Sequence, residues 1–325
     1  MQGGRPDPII EIEHYILDEL EEDVNELSDA LESLGVIVRR PEGIVRDGEI
    51  TTPFWTTFQT PPLNVRDNTV IIGNTIVETS PHVRARYFEN EYLKKIFFEK
   101  YQAGSKWICM PKASLAKNSV VDEYHDICSD DMEKYFVEGD GVINLESDHP
   151  QMIFDGAQCI RFGKDILVNV SSESHRVGYE WIKRHTAEDL RWHVVDKMAD
   201  NHIDSILLPL KPGVLLLRDK SFRTKLPDFL HSWEILIPPE PREDHFPSYS
   251  GTNINISSKF IDMNILSVDE KTVVVNKLYP ELCDYLEKKG FDVVPVRHRH
   301  RRYFGGGFHC FTLDLSRNGG MEDYR

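Results

Sequence analysis

The sequence contains no apolar run that approaches the length needed to span a bilayer. Its first eight residues read MQGGRPDP; they contain no hydrophobic signal region, and the chain soon becomes acidic. The five cysteines are an odd number and have no CxxC spacing, so the sequence indicates neither a zinc knot nor a disulfide framework. From these absences we expect a protein of the reducing cytoplasm that does not enter a membrane.

The sequence also lacks an excess of positive charge. Its 38 Lys and Arg residues face 54 Asp and Glu residues, which gives a formal net charge of −16. This balance argues against nucleic-acid binding, which needs cations to replace the counterions of the phosphates, and against adhesion to an anionic membrane. The basic run RHRHRR at residues 297–302 is an exception, and we expect it to form a solvated or partner-facing loop.

What the sequence does contain is a series of short paired apolar runs. Its 325 residues suggest two domains by length alone, but single domains of repeated β-units reach this size. Hydrophobic residues make up 40% of the chain, which is enough for a sizeable core. Four pairs of runs flank a turn and predict β-hairpins, at residues 66–78, 158–170, 206–217 and 263–275.

Helices and further strands are predicted around these hairpins. Apolar residues recur at helical spacing from Ile16 to Leu34, and Gly35 ends this helix. Further helices are predicted at about 83–101, 178–185 and 280–289, and strands at 36–38 and 291–294. The unit of hairpin, helix and strand returns at intervals of roughly fifty residues or more, which is typical of arrays and propellers. We therefore predict one closed or nearly closed α/β assembly, with the hairpin starts around a central cleft.

A glycine-rich stretch near the C-terminal end delivers a cysteine. Three glycines, Gly305 to Gly307, precede Cys310, and the alternating apolar residues at 311, 313 and 315 predict a strand. Glycines allow a ligand to approach the backbone closely, so Cys310 is a candidate nucleophile. A glycine-rich turn before an ordinary buried cysteine explains the same stretch equally well.

Polar residues stand at the start of successive hairpins. They are Asp67, Asp155, His202 with Asp204, and Cys310. The spacing of His202 and Asp204 predicts that both lie on one face of a strand. Together these residues would supply a thiolate nucleophile, a histidine that moves protons, and carboxylates that hold a cation. Planar guanidinium is the cation that best suits several flanking carboxylates.

Each of these residues also has a structural explanation. Asp155 could be a turn residue, Asp67 could pair with Arg66 on the surface, and His202 could be a satisfied core histidine. His202 and Asp204 could also suggest a metal site, but only His309 adds a nearby histidine, and no ligand spacing supports a metal. His309 is interpreted as a structural neighbour of the nucleophile.

At these residues the sequence resembles the amidinotransferases, which include the arginine:glycine and the inosamine-phosphate enzymes. The resemblance runs from about residue 27 to residue 325. It implies a single catalytic domain, 1–325, with the five-bladed pseudo-symmetric α/β propeller of ββαβ modules that arginine deiminases share. The motifs that carry it are Arg66-Asp67, Gly73-Asn74, Phe154-Asp155-Gly156-Ala157, residues 161–166, His202-Ile203-Asp204, Ser257-Ser258-Lys259 and residues 305–310.

The resemblance also implies a role for each matching residue. Cys310 corresponds to the nucleophile, His202 to the general acid and base, and Asp155 to its catalytic carboxylate partner. Asp67 and Asp204 correspond to residues that bind the donor arginine. A serine pair, Ser257 and Ser258, corresponds to the residues that hold the α-carboxylate end of the donor.

Three departures from the family pattern accompany the resemblance. The loop after the third hairpin lacks the family's Pro-Asp-Arg grip on the donor carboxylate, so Arg218 or Arg223 would have to substitute. Asn201 stands where the glycine enzymes carry methionine, which implies a different and larger acceptor. The family has an extra strand and loop before the long helix, so either the first blade is incomplete or the sequence is shortened.

The function implied is transfer of the amidino group of L-arginine to a primary amine through an amidino-cysteine, with release of ornithine. We expect this in the biosynthesis of a guanidino metabolite. No metal or organic cofactor is required, the substrates are small molecules, and a homodimer would suit the family. Two alternatives remain: an arginine deiminase-like hydrolase, and a degenerate propeller that acts as a binding protein.

Overall fold

The computed structural model of the chain describes residues 12–41, 49–60, 62–115, 151–199, 201–249 and 256–324. In these residues the helices are α1 (His14–Ser33), α2 (Lys94–Gln102), α3 (Glu173–His185), α4 (Pro280–Lys288) and α5 (Arg301–Phe304). The strands are β1 (Glu49–Thr51), β2 (Thr56–Phe58), β3 (Thr69–Ile72), β4 (Thr75–Glu78), β5 (Lys106–Cys109), β6 (Cys159–Phe162), β7 (Asp165–Val170), β8 (Arg191–Asp196), β9 (Leu207–Lys211), β10 (Val214–Leu217), β11 (Glu234–Leu236), β12 (Leu266–Ser267), β13 (Thr272–Asn276) and β14 (Asp292–Val296).

Four sheets share one three-stranded topology, which confirms the four predicted hairpins. In each sheet two consecutive strands form an antiparallel hairpin, and a third strand pairs parallel with the second. The sheets are β3–β4–β5, β6–β7–β8, β9–β10–β11 and β12–β13–β14. Parallel pairing requires a long crossover. It contains a helix, α2, α3 or α4, in three units, and short 3-10 turns in the unit of β9 to β11. A further small hairpin, β1–β2, was not predicted.

The central strands and the helices enclose the core. The buried side chains of Leu167, Leu215 and Val273, from three different central strands, belong to one apolar cluster that also includes Leu286 of α4. Full burial of a side chain of this size stabilises the fold by about 1.5–3 kcal/mol. A second cluster joins Leu27 and Leu31 of α1 to Phe308 of the glycine-rich stretch. The long helix therefore supports the segment that carries Cys310.

No helix in the described ranges is both long and apolar enough to cross a bilayer.

Two predicted strands are absent. Residues 36–38 and 311–315 have no ladder partner among the described residues. The alternating pattern at 311–315 has another cause, because Phe311 packs in the clusters of α1 while Leu313 and Leu315 pack against Ile71 and its neighbours. Asp314, between the two leucines, pairs instead with Arg66. Alternation thus reflects contacts on two sides of an irregular segment.

The helix predicted at about 83–101 is only partly present. The chain forms two 3-10 turns, Arg84–Arg86 and Glu89–Tyr92, before α2 begins. The amide of Asn68 donates to the carbonyl of Arg86 at 3.3 Å and to the Glu89 carboxylate at 2.7 Å. These tertiary hydrogen bonds replace helical ones, so the continuous helix is interrupted.

The basic run at 297–302 is not a solvated or partner-facing loop. Arg297 and Arg299 both donate to the buried carboxylate of Asp23 on α1, each from its Nε at 3.0 Å. The Arg301 guanidinium is fully buried against Asp262. The prediction was wrong because Glu19, Glu22, Asp23 and Glu26 line one face of α1 and neutralise the run within the protein.

Candidate active site

The backbone at the starts of different units is joined by direct hydrogen bonds. The N–H of Arg66 donates to the carbonyl of Cys310 at 3.3 Å, and the N–H of Gly156 donates to the carbonyl of Asp67. The N–H of His309 donates to the carbonyl of Asn264 at 3.1 Å. Four distant parts of the chain therefore meet, as the predicted convergence of hairpin starts requires.

Cys310 lies against a carboxylate. Its Sγ donates to Oδ2 of Asp204 at 3.3 Å, and its backbone N–H donates to Oδ1 of Asn264 at 3.0 Å. The chain can pass this close to Asn264 because residue 307 is glycine, where a Cβ would lie 2.5 Å from the Asn264 carbonyl oxygen. Burial, Asp204 and Asp67 raise the pKa of Cys310 well above its usual value. The unliganded site therefore holds a neutral thiol.

His202 contacts a second carboxylate. Its Nε2 lies 2.9 Å from Oδ2 of Asp155, and its Nδ1 lies 3.9 Å from Oδ1 of Asp67. Burial opposes the imidazolium, but Asp67, Asp155 and Asp204 together raise the pKa of His202 to about 9. At neutral pH the site thus contains a protonated imidazole that can act as an acid.

The predicted strand face of His202 and Asp204 does not exist. His202 has extended backbone angles and precedes a 3-10 turn, Ile203–Ser205, which contains Asp204. The turn still presents both side chains to the site, where His202 contacts Asp155 and Asp204 contacts Cys310. The structure thus brings the two side chains close together, although the strand geometry predicted for them was wrong.

A third carboxylate is held by an arginine. Asp67 Oδ2 accepts from the guanidinium of Arg86 at 2.6 Å, and Arg86 also binds Glu89 at 2.8 Å. Asp67 is therefore not a surface partner of Arg66, which binds the carbonyl of His309 and Asp314 instead. Arg86 binds only Oδ2, so it does not satisfy Oδ1 of Asp67.

Each of the three carboxylates has one oxygen without a hydrogen-bond partner. These atoms are Oδ1 of Asp67, Asp155 and Asp204, all buried. Buried polar atoms are normally paired, and buried charge is costly without a counterion. Three unpaired anionic oxygens beside a thiol and an imidazole suit a small cation with several N–H donors. Among the described residues, no group of three or more His, Cys, Asp or Glu side chains could hold a metal ion.

The comparisons with known proteins agree with this chemistry. No protein-family model matches the chain. It is 34% identical over 312 residues to inosamine-phosphate amidinotransferase 1 of Streptomyces glaucescens, an alignment that covers 95% of this chain and 84% of the relative. The L-arginine:L-lysine amidinotransferase of Pseudomonas savastanoi pv. phaseolicola is 32% identical over 313 residues, with 95% and 81% covered. The chain belongs to the amidinotransferase family.

Solved structures support the assignment. An amidinotransferase of the saxitoxin biosynthetic pathway from Microseira wollei superposes with a TM-score of 0.82 at 29% identity, over 97% of this chain and 88% of the other. A dimethylarginine dimethylaminohydrolase, at 14% identity and a TM-score of 0.55 over 90% and 87% of the two chains, shares the fold alone. This amidinotransferase thus has the propeller-like α/β fold expected from the resemblance, with four three-stranded blades in its described residues.

The two serines of the amidinotransferase pattern lie beside α5. The Ser257 hydroxyl donates to the carbonyl of Arg301 at 3.4 Å, and the Ser258 hydroxyl accepts from the N–H of Phe260 at 3.3 Å. The Ser257 carbonyl accepts from Nε of Arg302 at 3.1 Å. These bonds fix the serine segment against the helix that leads to the glycine-rich stretch.

The two candidate arginines differ in their surroundings. The Arg218 guanidinium lies 5.8 Å from the ring centre of Phe260, two residues after Ser258. Arg223 is exposed in the 3-10 segment Lys220–Lys225. Of the two arginines, Arg218 is therefore the one that lies near the residues following the serine pair.

Several site residues escaped the sequence analysis. Asn264 precedes the hairpin β12–β13, so the rule of polar residues at hairpin starts would have found it had it been applied to the fourth hairpin. His309, interpreted as a structural neighbour, donates from Nδ1 to Asp204 at 2.8 Å. His82 and Arg86, which follow β4, contact Asp155 and Asp67. No sequence signal marks them, because they reach the site from a connection between two strands.

Proposed function

We propose that this amidinotransferase moves the amidino group of L-arginine to a primary amine through an amidino-Cys310 intermediate and releases ornithine. The observation that carries the proposal is the set of three buried carboxylates, each with an unpaired oxygen, around the thiol. A guanidinium offers donors in a fixed plane and would satisfy these oxygens together. Such binding would place its carbon beside the Cys310 sulfur.

The donor arginine would bind by both ends. Asp67, Asp155 and Asp204 hold the guanidinium, while Ser257 and Ser258 hold the α-carboxylate. Arg218 is the candidate that neutralises this carboxylate, because its guanidinium lies over the ring of Phe260, two residues after Ser258.

In the first half-reaction the thiolate of Cys310 attacks the guanidinium carbon. The guanidinium charge offsets the carboxylates that hold the thiol neutral. Donor binding therefore lowers the pKa of the Cys310 thiol. A C–S bond forms and the C–N bond to ornithine breaks. The thiol proton is released to solvent as the thiol ionises, and protonated His202 donates its own proton to the leaving amine, which leaves His202 neutral for the next half-reaction.

In the second half-reaction a primary amine takes the place of ornithine. His202 removes a proton from this amine, which attacks the amidino carbon and displaces the Cys310 sulfur. The thiol regains its proton, so the enzyme returns to its starting state. Covalent catalysis divides one difficult displacement into two easier ones.

The acceptor is proposed only by class, as a primary amine in the biosynthesis of a guanidino metabolite. Relatives of this chain are named for inosamine phosphate and for lysine. Asn201 lies next to Asp155 and carries a buried oxygen without a partner, Oδ1, which could accept from the incoming amine. We therefore assign Asn201 to the acceptor side of the site.

Intact-mass analysis after incubation with arginine tests the proposal. We expect an amidino adduct on wild-type protein, its absence in Cys310→Ala, and release of the adduct when an accepted amine is added. A panel of amines with labelled arginine then identifies the acceptor. Citrulline and ammonia from arginine alone would show a hydrolase instead. No adduct and no loss of turnover in Cys310→Ala would refute the covalent route.

A further inference from the structure

Three donors converge on one oxygen of Asp155. Its Oδ2 lies 2.9 Å from Nε2 of His202, 2.8 Å from Nδ1 of His82 and 2.8 Å from the Asn201 amide nitrogen. The other oxygen, Oδ1, has no partner. The Asp155 side chain is almost completely buried, and that of His82 is only 11% exposed. His202 therefore shares its carboxylate partner with a second histidine.

The two histidines reach Asp155 from different units of the fold. His202 precedes β9, while His82 follows β4. The bridge between Ser80 and Phe154 brings the chain after β4 beside the chain before β6. The N–H of Asp155 donates to the Gln158 side chain at 2.7 Å, which fixes its backbone. The carboxylate is thus held in one orientation, with Oδ2 saturated by donors and Oδ1 buried without a partner.

We propose that His82 is a positioning residue that shares Asp155 with His202, so that His202 can both give up its proton and take one back within a catalytic cycle. The inference rests on the proposed amidino transfer, in which His202 alternates between acid and base. A carboxylate bound to His202 alone would hold the imidazolium more tightly. Division of its charge between two rings weakens that hold.

The groups that face His82 support this division of charge. They are Asp155 before β6, Asn201 and His202 before β9, and His175 on α3. His175 is fully buried, and burial together with His82 lowers its pKa to about 3. It stays neutral and takes no proton from the cluster. Asp155 is the carboxylate that His82 contacts, and His82 and His202 hold the pKa of Asp155 well below its usual range despite burial.

Substitution of His82 separates this role from simple packing. In His82→Ala, Asp155 keeps Asn201 and His202 as donors, so the His202 imidazolium should become more stable. We expect kcat near neutral pH to fall about 10- to 100-fold, as for other residues that orient a catalytic group, with a smaller change in KM for arginine. The alkaline limb of the pH profile should move to higher pH, because His202 loses its proton only at a higher pH. In His82→Asn the side-chain amide retains a donor near the position of Nδ1. This variant should therefore keep most of the wild-type kcat and most of the wild-type pH profile.

His193→Ala provides the matched control. His193 forms a comparable histidine–carboxylate contact with Asp165, 2.7 Å long. Asp165 is the first residue of β7, whereas Asp155 lies outside that strand, before β6. The His193→Ala variant should be less stable than wild type, but its pH–activity profile should not shift. An unchanged profile in His82→Ala would overturn the inference, and so would equal impairment of His82→Ala and His82→Asn, or the same shift in His193→Ala.

A titration without substrate keeps this test separate from the proposed function. Histidine signals followed by NMR in the full-length protein should show His202 titrating at higher pH in His82→Ala than in wild type. A missing amidino adduct in wild type together with this shift would refute the transfer chemistry and retain the role of His82. An unshifted or lower titration refutes the role of His82 whatever the adduct assay shows.

Discussion

The sulfur of Cys310 lies 3.3 Å from a carboxylate oxygen of Asp204, so the thiol donates a hydrogen bond to a negative charge. The charge of Asp204 opposes ionisation of the thiol, and a bound cation would offset it. Removal of the charge should therefore have opposite effects on the reactivity of the free cysteine and on substrate binding.

Asp204→Asn tests this relationship. Loss of the negative charge should lower the pKa of Cys310 and speed its alkylation by iodoacetamide near neutral pH, while KM for arginine rises at least tenfold. Peptide mass spectrometry separates Cys310 from exposed Cys109, which is the internal control. Slower alkylation of Cys310 in a correctly folded variant would contradict the assignment.

The raised pKa of His202 should appear in the pH dependence of stability. A group that binds its proton more tightly in the folded state stabilises the protein fully below its unfolded pKa, and the stabilisation is lost as pH rises through about 9. His202→Gln should thus be more destabilised than wild type at pH 6, by roughly 1–2 kcal/mol, and the difference should shrink by pH 10. Denaturant unfolding at both pH values measures this.

His185→Gln is the control for the stability measurement. His185 is exposed at the end of α3 and stacks on Trp181. As a substitution at an exposed position, His185→Gln should change the free energy of unfolding by no more than about 0.5 kcal/mol. A constant difference between wild type and His202→Gln across this range would mean that His202 is not held as an imidazolium.

Gly307→Ala tests the close approach behind the nucleophile. The added Cβ would lie 2.5 Å from the Asn264 carbonyl oxygen and would push the segment of Cys310 away from Asn264. We expect a loss of about 1–3 kcal/mol in stability and a fall in kcat larger than that in Gly320→Ala, where a Cβ meets nothing within 4 Å. Thermal unfolding and steady-state kinetics check both, and equal activity of the two variants would refute the argument.

Asp23→Ala tests the internal role of the basic run. It would remove the buried carboxylate that Arg297 and Arg299 share but leave the glutamates of α1 beside them, so the expected loss of stability is about 1–3 kcal/mol. Asp29→Ala, at an exposed position of the same helix, should change the free energy of unfolding by no more than about 0.5 kcal/mol. Similar losses in the two variants would show that the run is not anchored by Asp23.

The sequence predicted the elements that repeat and missed the contacts that do not. Hairpins and the amphipathic helix follow from local periodicity, so the four hairpins and α1 were found. Periodicity could not distinguish a strand from an irregular segment at 311–315, because both bury alternate side chains. Periodicity also could not predict the break in the helix at 84–92, because the competing hydrogen bonds come from Asn68, which lies outside this segment.

The site was predictable only where a rule of position applied. Asp67, Asp155, His202 and Asp204 stand at hairpin starts, and the structure brings them to Cys310. His82 and Arg86 follow β4, and their contacts depend on how neighbouring units pack. A single sequence contains no record of that packing, so these residues required the structure.

The bonds that join distant parts of the chain have a consequence for inactivation. Arg66 and His309 are 243 residues apart, and the bond between them joins the two segments beside the nucleophile. Asn264 and Phe308, which also hold this segment, lie outside any regular sheet ladder. Local opening of the C-terminal segment would withdraw the sulfur from His202 while all four sheets stay intact. Heat or mild denaturant should therefore abolish activity before the sheets unfold. Cooling, or removal of the denaturant, should restore the activity.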